Sequence, residues 1–152
     1  MPGYYTEVGL VVRQARDLGI KIPITGGDGW DSPKLVEIGG KALNGCYYSN
    51  HYSPEDTSQI IQNFVQEYKA KFVEIPDAMA PLGYDAAMIL FEAIKKVGST
   101  EGAKIKEVIA QTKDFPGITG KITINEERNA VKPAVVLKVE DGKIKYVETV
   151  NP

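Results

Sequence analysis

Ile24-Thr25-Gly26-Gly27-Asp28-Gly29-Trp30-Asp31-Ser32-Pro33 sets three glycines, two aspartates and the only tryptophan of the chain between a short apolar run and a helix start. Ile22 to Thr25 reads as a β-prone strand. Ser32-Pro33 reads as N-cap and first helical residue, because serine accepts from first-turn amides and proline has no amide to lose there. That helix runs to about Gly39-Gly40. Upstream, Thr6 to Gly19 spaces Val8, Leu10, Val11, Ala15 and Leu18 three and four residues apart, an amphipathic helix that Gly19 stops. Helix, strand, loop, helix is the order of an α/β fold. In open sheets of that class, ligands sit where a strand's carboxyl end meets its loop.

Downstream, Gly45 to Asn50 is a strand candidate, and Ser53-Pro54-Glu55-Asp56 repeats the Ser-Pro signal for a helix start. Ile60, Ile61, Phe64, Val65, Tyr68 and Phe72 then form an apolar stripe at helical period, the mark of a core-facing helix. After Pro76, the segment Tyr84 to Val97 is apolar on nearly every side, so this helix expects cover on more than one face. Ser99-Thr100 caps a further helix bearing Ile105, Val108 and Ile109, which ends at Asp114 to Gly117. Alternation of period two follows in Lys121 to Ile124 and Pro133 to Val139, and Asp141-Gly142 predicts a tight antiparallel hairpin. The helices outnumber the strands available to cover them.

The 152 residues suit one α/β unit, and 43% hydrophobic content supports a packed core. Eighteen basic against twenty acidic residues, with no block of like charge, exclude a nucleic-acid footprint and a polybasic membrane anchor. No apolar run approaches the roughly 20 residues of a membrane span, and MPGYYTEVGL has no signal-peptide pattern. Cys46 excludes an internal disulfide and reads as a small buried hydrophobe. His51 is the only histidine, so no zinc set can be assembled and no Cys-His pair is worth proposing.

The glycine loop lacks the GxGxxG spacing and the Walker lysine, and its carboxylate would repel a phosphate. Gly117-Ile118-Thr119-Gly120-Lys121 has its glycines too close for a phosphate loop and leads into a strand, so it reads as a turn. Asp28 and Asp31 lack the alternating oxygens of a calcium loop, and no base or oxyanion donor accompanies them. No metal, cofactor or catalytic role is assigned. What remains is Asp28 as holder of a small cation at a strand's carboxyl end, against the plainer reading of a solvated or helix-capping aspartate.

Gly3-Tyr4-Tyr5-Thr6-Glu7-Val8-Gly9-Leu10, Arg13-Gln14-Ala15-Arg16, Gly26-Gly27-Asp28-Gly29-Trp30-Asp31, Gly83-Tyr84-Asp85-Ala86 and Val131-Lys132-Pro133-Ala134-Val135-Val136 together resemble the leucine/isoleucine/valine-binding proteins, the substrate-binding components of branched-chain amino acid ABC transporters. The resemblance covers the whole chain but only the C-terminal portion of the family. It implies a partial type I periplasmic-binding-protein fold, a three-layer α/β arrangement with a C-terminal antiparallel hairpin. It implies a non-catalytic amino-acid-binding module whose partners are a small amino acid and a membrane permease, in a periplasmic or extracellular membrane-attached setting. Tyr4 is then a cleft wall and Asp28 the acceptor of the ligand's α-ammonium. Trp30 is a further wall, and Met79 lies near the ligand side chain.

By the same resemblance, residues 1–50 and 132–152 belong to the second lobe and the helices within 51–131 to the first. The first-lobe sheet and the hydroxyls that would take the ligand carboxylate have no counterpart here. The expectation is either a rearranged single α/β unit or self-association as a homo-oligomer, by element exchange, and the rival function is a truncated, self-assembling fragment without ligand affinity.

Overall fold

The computed structural model describes residues 1–152. The chain divides by its contacts into two compact units, Met1–Asp56 with Ala134–Val150, and Thr57–Pro133 with Asn151–Pro152. The first is called the sheet unit below and the second the helical unit. The later helices belong to a unit with a small three-stranded sheet of its own.

In the sheet unit, α1 (Tyr5–Asp17) and α2 (Pro33–Gly39) accompany a four-stranded sheet of order β1-β2-β6-β7, with β1 Thr25–Gly26, β2 Tyr47–Asn50, β6 Ala134–Glu140 and β7 Lys143–Val150. β1 and β2 run parallel, and the remaining pairs are antiparallel. Ser32 caps α2 as expected, its Oγ accepting from the Lys34 amide at 3.2 Å. The hairpin turn is also as expected: Asp141 and Gly142 both have positive φ, 51° and 72°, which a tight primed turn requires. Val135, Leu137 and Val139 alternate inward from β6 and meet Val8, Val12, Trp30, Leu35 and Tyr48 in one core.

Three local expectations differ in this unit. The buried face of α1 is Val8, Gly9 and Val12, not Leu10, Val11 and Leu18, which are exposed. Gly9 selects that face, because a Cβ there would lie 2.8 Å from Ile38 Cγ2 and 3.2 Å from the Gly39 amide, so only glycine lets α1 approach α2. The first strand is Thr25–Gly26 instead of Ile22 to Thr25. The preceding carbonyls of Ile20 and Ile22 are taken by the Arg16 guanidinium at 2.6 and 2.9 Å. Arg13 and Arg16 of the RQAR motif thereby fasten helix to loop, Arg13 through the Ile38 carbonyl at 3.3 Å and Arg16 also through Ala42 at 3.2 Å.

Ser53-Pro54 opens a turn and not a helix. Ser53 Oγ accepts from the Glu55 amide at 3.2 Å, and the Glu55 carboxylate accepts from the Tyr146 amide at 3.0 Å, which binds this segment to β7. The helix starts at Gln59.

The helical unit holds α3 (Gln59–Phe72), α4 (Met79–Val97) and α5 (Gly102–Ala110) with an antiparallel sheet β3-β4-β5, Phe115–Gly117, Gly120–Ile124 and Ala130–Val131. α4 begins five residues before the Tyr84 that the hydropathy pattern suggested, because Asp77 Oδ1 accepts from the amides of Met79 and Ala80 and Pro81 is tolerated in the first turn. The GITGK segment is a turn between β3 and β4, as read from the sequence. Its amides are already committed: Asp85 Oδ1 accepts from Ile118 N at 2.7 Å, and Oδ2 accepts from Thr119 N at 2.9 Å and Thr119 Oγ1 at 2.8 Å.

The sequence's demand for cover around α4 is not met within this unit. Only Pro81, Asp85 and Ala93 of that helix are buried, while Leu90 is 40% and Phe91 59% exposed. No helix is long and apolar enough to cross a membrane.

Candidate functional site

The glycine loop leaves the carboxyl end of β1 and closes at once into a 3-10 turn, Asp28–Trp30, with the Trp30 amide donating to the Gly27 carbonyl at 3.1 Å and the Asp31 amide to the Asp28 carbonyl at 2.9 Å. The glycines are not equivalent. A Cβ at Gly26 would fall 2.1 Å from the Trp30 ring, and one at Gly29 2.8 Å from the Gly3 carbonyl, so those two are small because the fold leaves no room. Gly27 has extended backbone, φ −114° and ψ −170°, and nothing within 4 Å of a Cβ built on it. Packing does not require glycine there, and the space beside it is open.

That space is a groove of about 560 Å³ lined by Gly3, Tyr4, Thr25, Gly27, Asp28 and Gly29, together with Met1 and its neighbour Pro2. The Met1 α-ammonium donates to the Thr25 carbonyl. Tyr4 stands at the N-cap of α1, its carbonyl accepting from the Val8 amide at 3.0 Å, which leaves its ring 72% exposed beside Gly29. Tyr4 and Asp28, named separately from the sequence, therefore share one groove.

The two aspartates of the loop have different surroundings. Asp31 accepts from the Tyr48 hydroxyl at 3.5 Å, and burial, reinforced by the Asp31 charge, pushes the Tyr48 phenol above its ordinary pKa. Asp28 is half exposed, and its Oδ2 lies 3.0 Å from His51 Nε2. Sequence reasoning noted His51 only as a lone histidine. The signal it missed is positional: His51 directly follows β2, the parallel neighbour of β1, so both residues leave the same edge of the sheet.

Trp30 is not a wall of the groove. It is fully buried in the core, its ring centroid 5.8 Å from that of Tyr48, and it supports the loop from beneath. Its Nε1 has no hydrogen-bond partner. Met79 belongs to the helical unit, where it is the first residue of α4 and exposed. Cys46 is buried, its thiol pushed above its ordinary pKa by desolvation despite Arg16 Nη2 at 3.6 Å. No three His, Cys, Asp or Glu side chains come together as a metal set. The groove thus offers an exposed carboxylate, a phenol and backbone carbonyls, chemistry that suits a small cationic group.

The family profile described as periplasmic binding protein matches residues 4–143. A leucine-binding protein, LivK, from Thermotoga maritima superposes with a TM-score of 0.91 at 43% identity over 99% of this chain and 43% of that one. The branched-chain amino acid transporter substrate-binding protein LivJ of Streptococcus pneumoniae, solved in complex with isoleucine, gives 0.86 at 35% identity over 99% and 43%. The Leu/Ile/Val-binding protein BraC3 of Rhizobium johnstonii is 31% identical over 148 residues, 96% of this chain and 40% of that protein. The chain thus spans about 40% of the length of the curated relatives it matches.

Proposed function

The chain belongs to the periplasmic binding protein family, and from that membership we propose that it is a non-catalytic amino-acid-binding module, the C-terminal portion of a branched-chain amino acid receptor of an ABC transporter. The observation that carries the reading is the Asp28 carboxylate, exposed at the carboxyl end of β1 in the groove it shares with Tyr4. An ammonium leaving water must be paired with an acceptor, and a charge-assisted bond to a carboxylate offsets its desolvation. Asp28 takes the α-ammonium of leucine, isoleucine or valine, and Tyr4 forms the wall beside it. Met79 is proposed as an apolar neighbour of the ligand side chain by resemblance alone. A transporter permease as partner, and a periplasmic or extracellular membrane-attached setting, follow from the same likeness.

The test is amide NMR with each of the three amino acids titrated into the millimolar range, where weak binding is still visible. Shifts at Gly27, Asp28 and Gly29 that vanish in Asp28→Ala are expected. Equal binding by Asp28→Ala would refute the assignment.

A second reading, a self-assembling fragment without ligand affinity, is favoured by the exposed Tyr84, Leu90 and Phe91 of α4. Concentration-dependent sedimentation together with no amino-acid shifts at any concentration would select it.

A further inference from the structure

We propose that His51 is a positioning residue for the Asp28 carboxylate, holding one of its oxygens through a ring N–H so that the other is presented to a ligand ammonium. The proposal rests on the reading of Asp28 as ammonium acceptor and goes beyond it by naming what orients the acceptor. The two side chains follow neighbouring parallel strands paired in the register Thr25↔Tyr47 and Gly26↔Tyr48, Asp28 two residues after β1 and His51 one after β2, so the sheet brings their segments side by side. The backbone at His51 is held in turn, because the buried Asn50 side chain accepts from the His51 amide at 2.8 Å. Nε2–H donates to Asp28 Oδ2 at 3.0 Å, so the bond to His51 engages one of the two carboxylate oxygens.

A carboxylate has about four acceptor positions, so one histidine bond leaves capacity for an ammonium. An aspartate on an exposed turn otherwise loses rotamer freedom when it captures a ligand, and a bond made beforehand lowers that cost. The choice of imidazole matters electrostatically. His51 meets the carboxylate through one ring N–H, whereas lysine in its place would set a fixed positive charge against the acceptor. Titratable groups that share the groove with Asp28 are the Met1 α-ammonium, engaged with the Thr25 carbonyl, and the Tyr4 phenol, while Asp31 of the same loop is engaged with Tyr48. None of these replaces the His51 bond.

A surface ion pair of no consequence is the alternative, and exposed pairs often contribute little. Two measurements separate the cases. The first needs no ligand: ring nitrogen NMR of the single histidine in the full chain, wild type against Asp28→Ala. Proton occupancy of Nε2 that becomes averaged with Nδ1 in Asp28→Ala is expected, and ring-nitrogen shifts identical in the two proteins overturn the inference whether or not leucine binds. The second is leucine titration of His51→Gln, His51→Ala and His51→Lys, each checked for the wild-type amide pattern. Glutamine, a neutral donor, should retain most of the affinity, alanine should lose about tenfold, the worth of one hydrogen bond to a charged group, and lysine should lose more. A structural role would not produce that order, and equal affinities across the series overturn the proposal while leaving Asp28's own role standing. A paired ring in a wild-type chain that leucine does not perturb overturns the amino-acid reading and, with it, the ligand role of His51.

Discussion

Replacing Asp85 by asparagine tests whether one buried carboxylate holds the β3–β4 turn. Asp85 is 2% exposed and accepts three donors, Ile118 N at 2.7 Å, Thr119 N at 2.9 Å and Thr119 Oγ1 at 2.8 Å. Asparagine keeps the shape but has one acceptor oxygen. With Oδ1 kept toward Ile118, the amide nitrogen faces the Thr119 amide, donor against donor. The Thr119 hydroxyl can rotate to accept, but its backbone N–H cannot. An unpaired buried N–H costs about 1–3 kcal/mol, and demoting a bond from a charged to a neutral acceptor about 1 kcal/mol more, for a sum near 3 kcal/mol. Alanine removes all three bonds and leaves a void, for a sum of about 4–5 kcal/mol.

The assay is native-state hydrogen exchange at Ile118 and Thr119. Both amides should be protected in the wild type and lose about a hundredfold of protection in Asp85→Asn, the equivalent of about 3 kcal/mol. Tryptophan fluorescence is a useful control, because Trp30 lies in the sheet unit and should unfold at an unchanged urea concentration. Wild-type protection of both amides in Asp85→Asn would refute the reasoning, and a loss confined to Trp30 would place the effect in the wrong unit. The same bonds explain why the GITGK turn is no phosphate loop: the amides that a phosphate would need are already bonded to a carboxylate.

Gly26 and Gly27 should respond oppositely to alanine. Gly26→Ala drives a Cβ into the buried Trp30 ring and should cost at least about 1–3 kcal/mol in urea unfolding followed by Trp30 fluorescence. Gly27→Ala meets nothing within 4 Å and should leave stability within about 1 kcal/mol while reducing leucine-induced shifts, because the new methyl enters the groove. In the hairpin, the Glu140 carboxyl is held down to about 2 by its bond to Lys138 at 2.5 Å, then by that to Lys145 at 3.0 Å. A depressed carboxyl favours folding above its unfolded pKa of about 4.3, and that contribution is lost as pH falls from there toward 2. Thermal melting from pH 7 to 2 should show a step in that window which Glu140→Gln lacks, and identical profiles for the two proteins would discount the pair.

What could be read from the residues was what neighbouring residues decide among themselves. Ser32-Pro33 starts a helix because the cap bond closes within two residues, and Asp141-Gly142 turns a hairpin because positive φ at both positions is a local property. The wide apolar surface of α4 was legible too, since it is a property of composition, and the structure shows that surface exposed. Asp28 and Tyr4 were legible as separate candidates, from a loop after a strand and from a resemblance in motifs. Short strands such as Phe115–Gly117 and Ala130–Val131 were not, because so few residues carry no period and become strands only by finding a partner.

Tertiary structure decided which side of each element is inside. Gly9 selects the face of α1 through its contact with Ile38, and the fully buried Trp30 becomes support for the loop instead of a wall of the groove. The same holds for the two carboxylates whose partners lie far along the chain, Asp28 with His51, 23 residues away, and Asp85 with Ile118 and Thr119, 33 and 34 away. Local sequence specifies the backbone through bonds that close within a turn. Which carboxylate faces a ligand and which is consumed by the fold depends on residues that only the pairing of distant strands and helices brings within 3 Å.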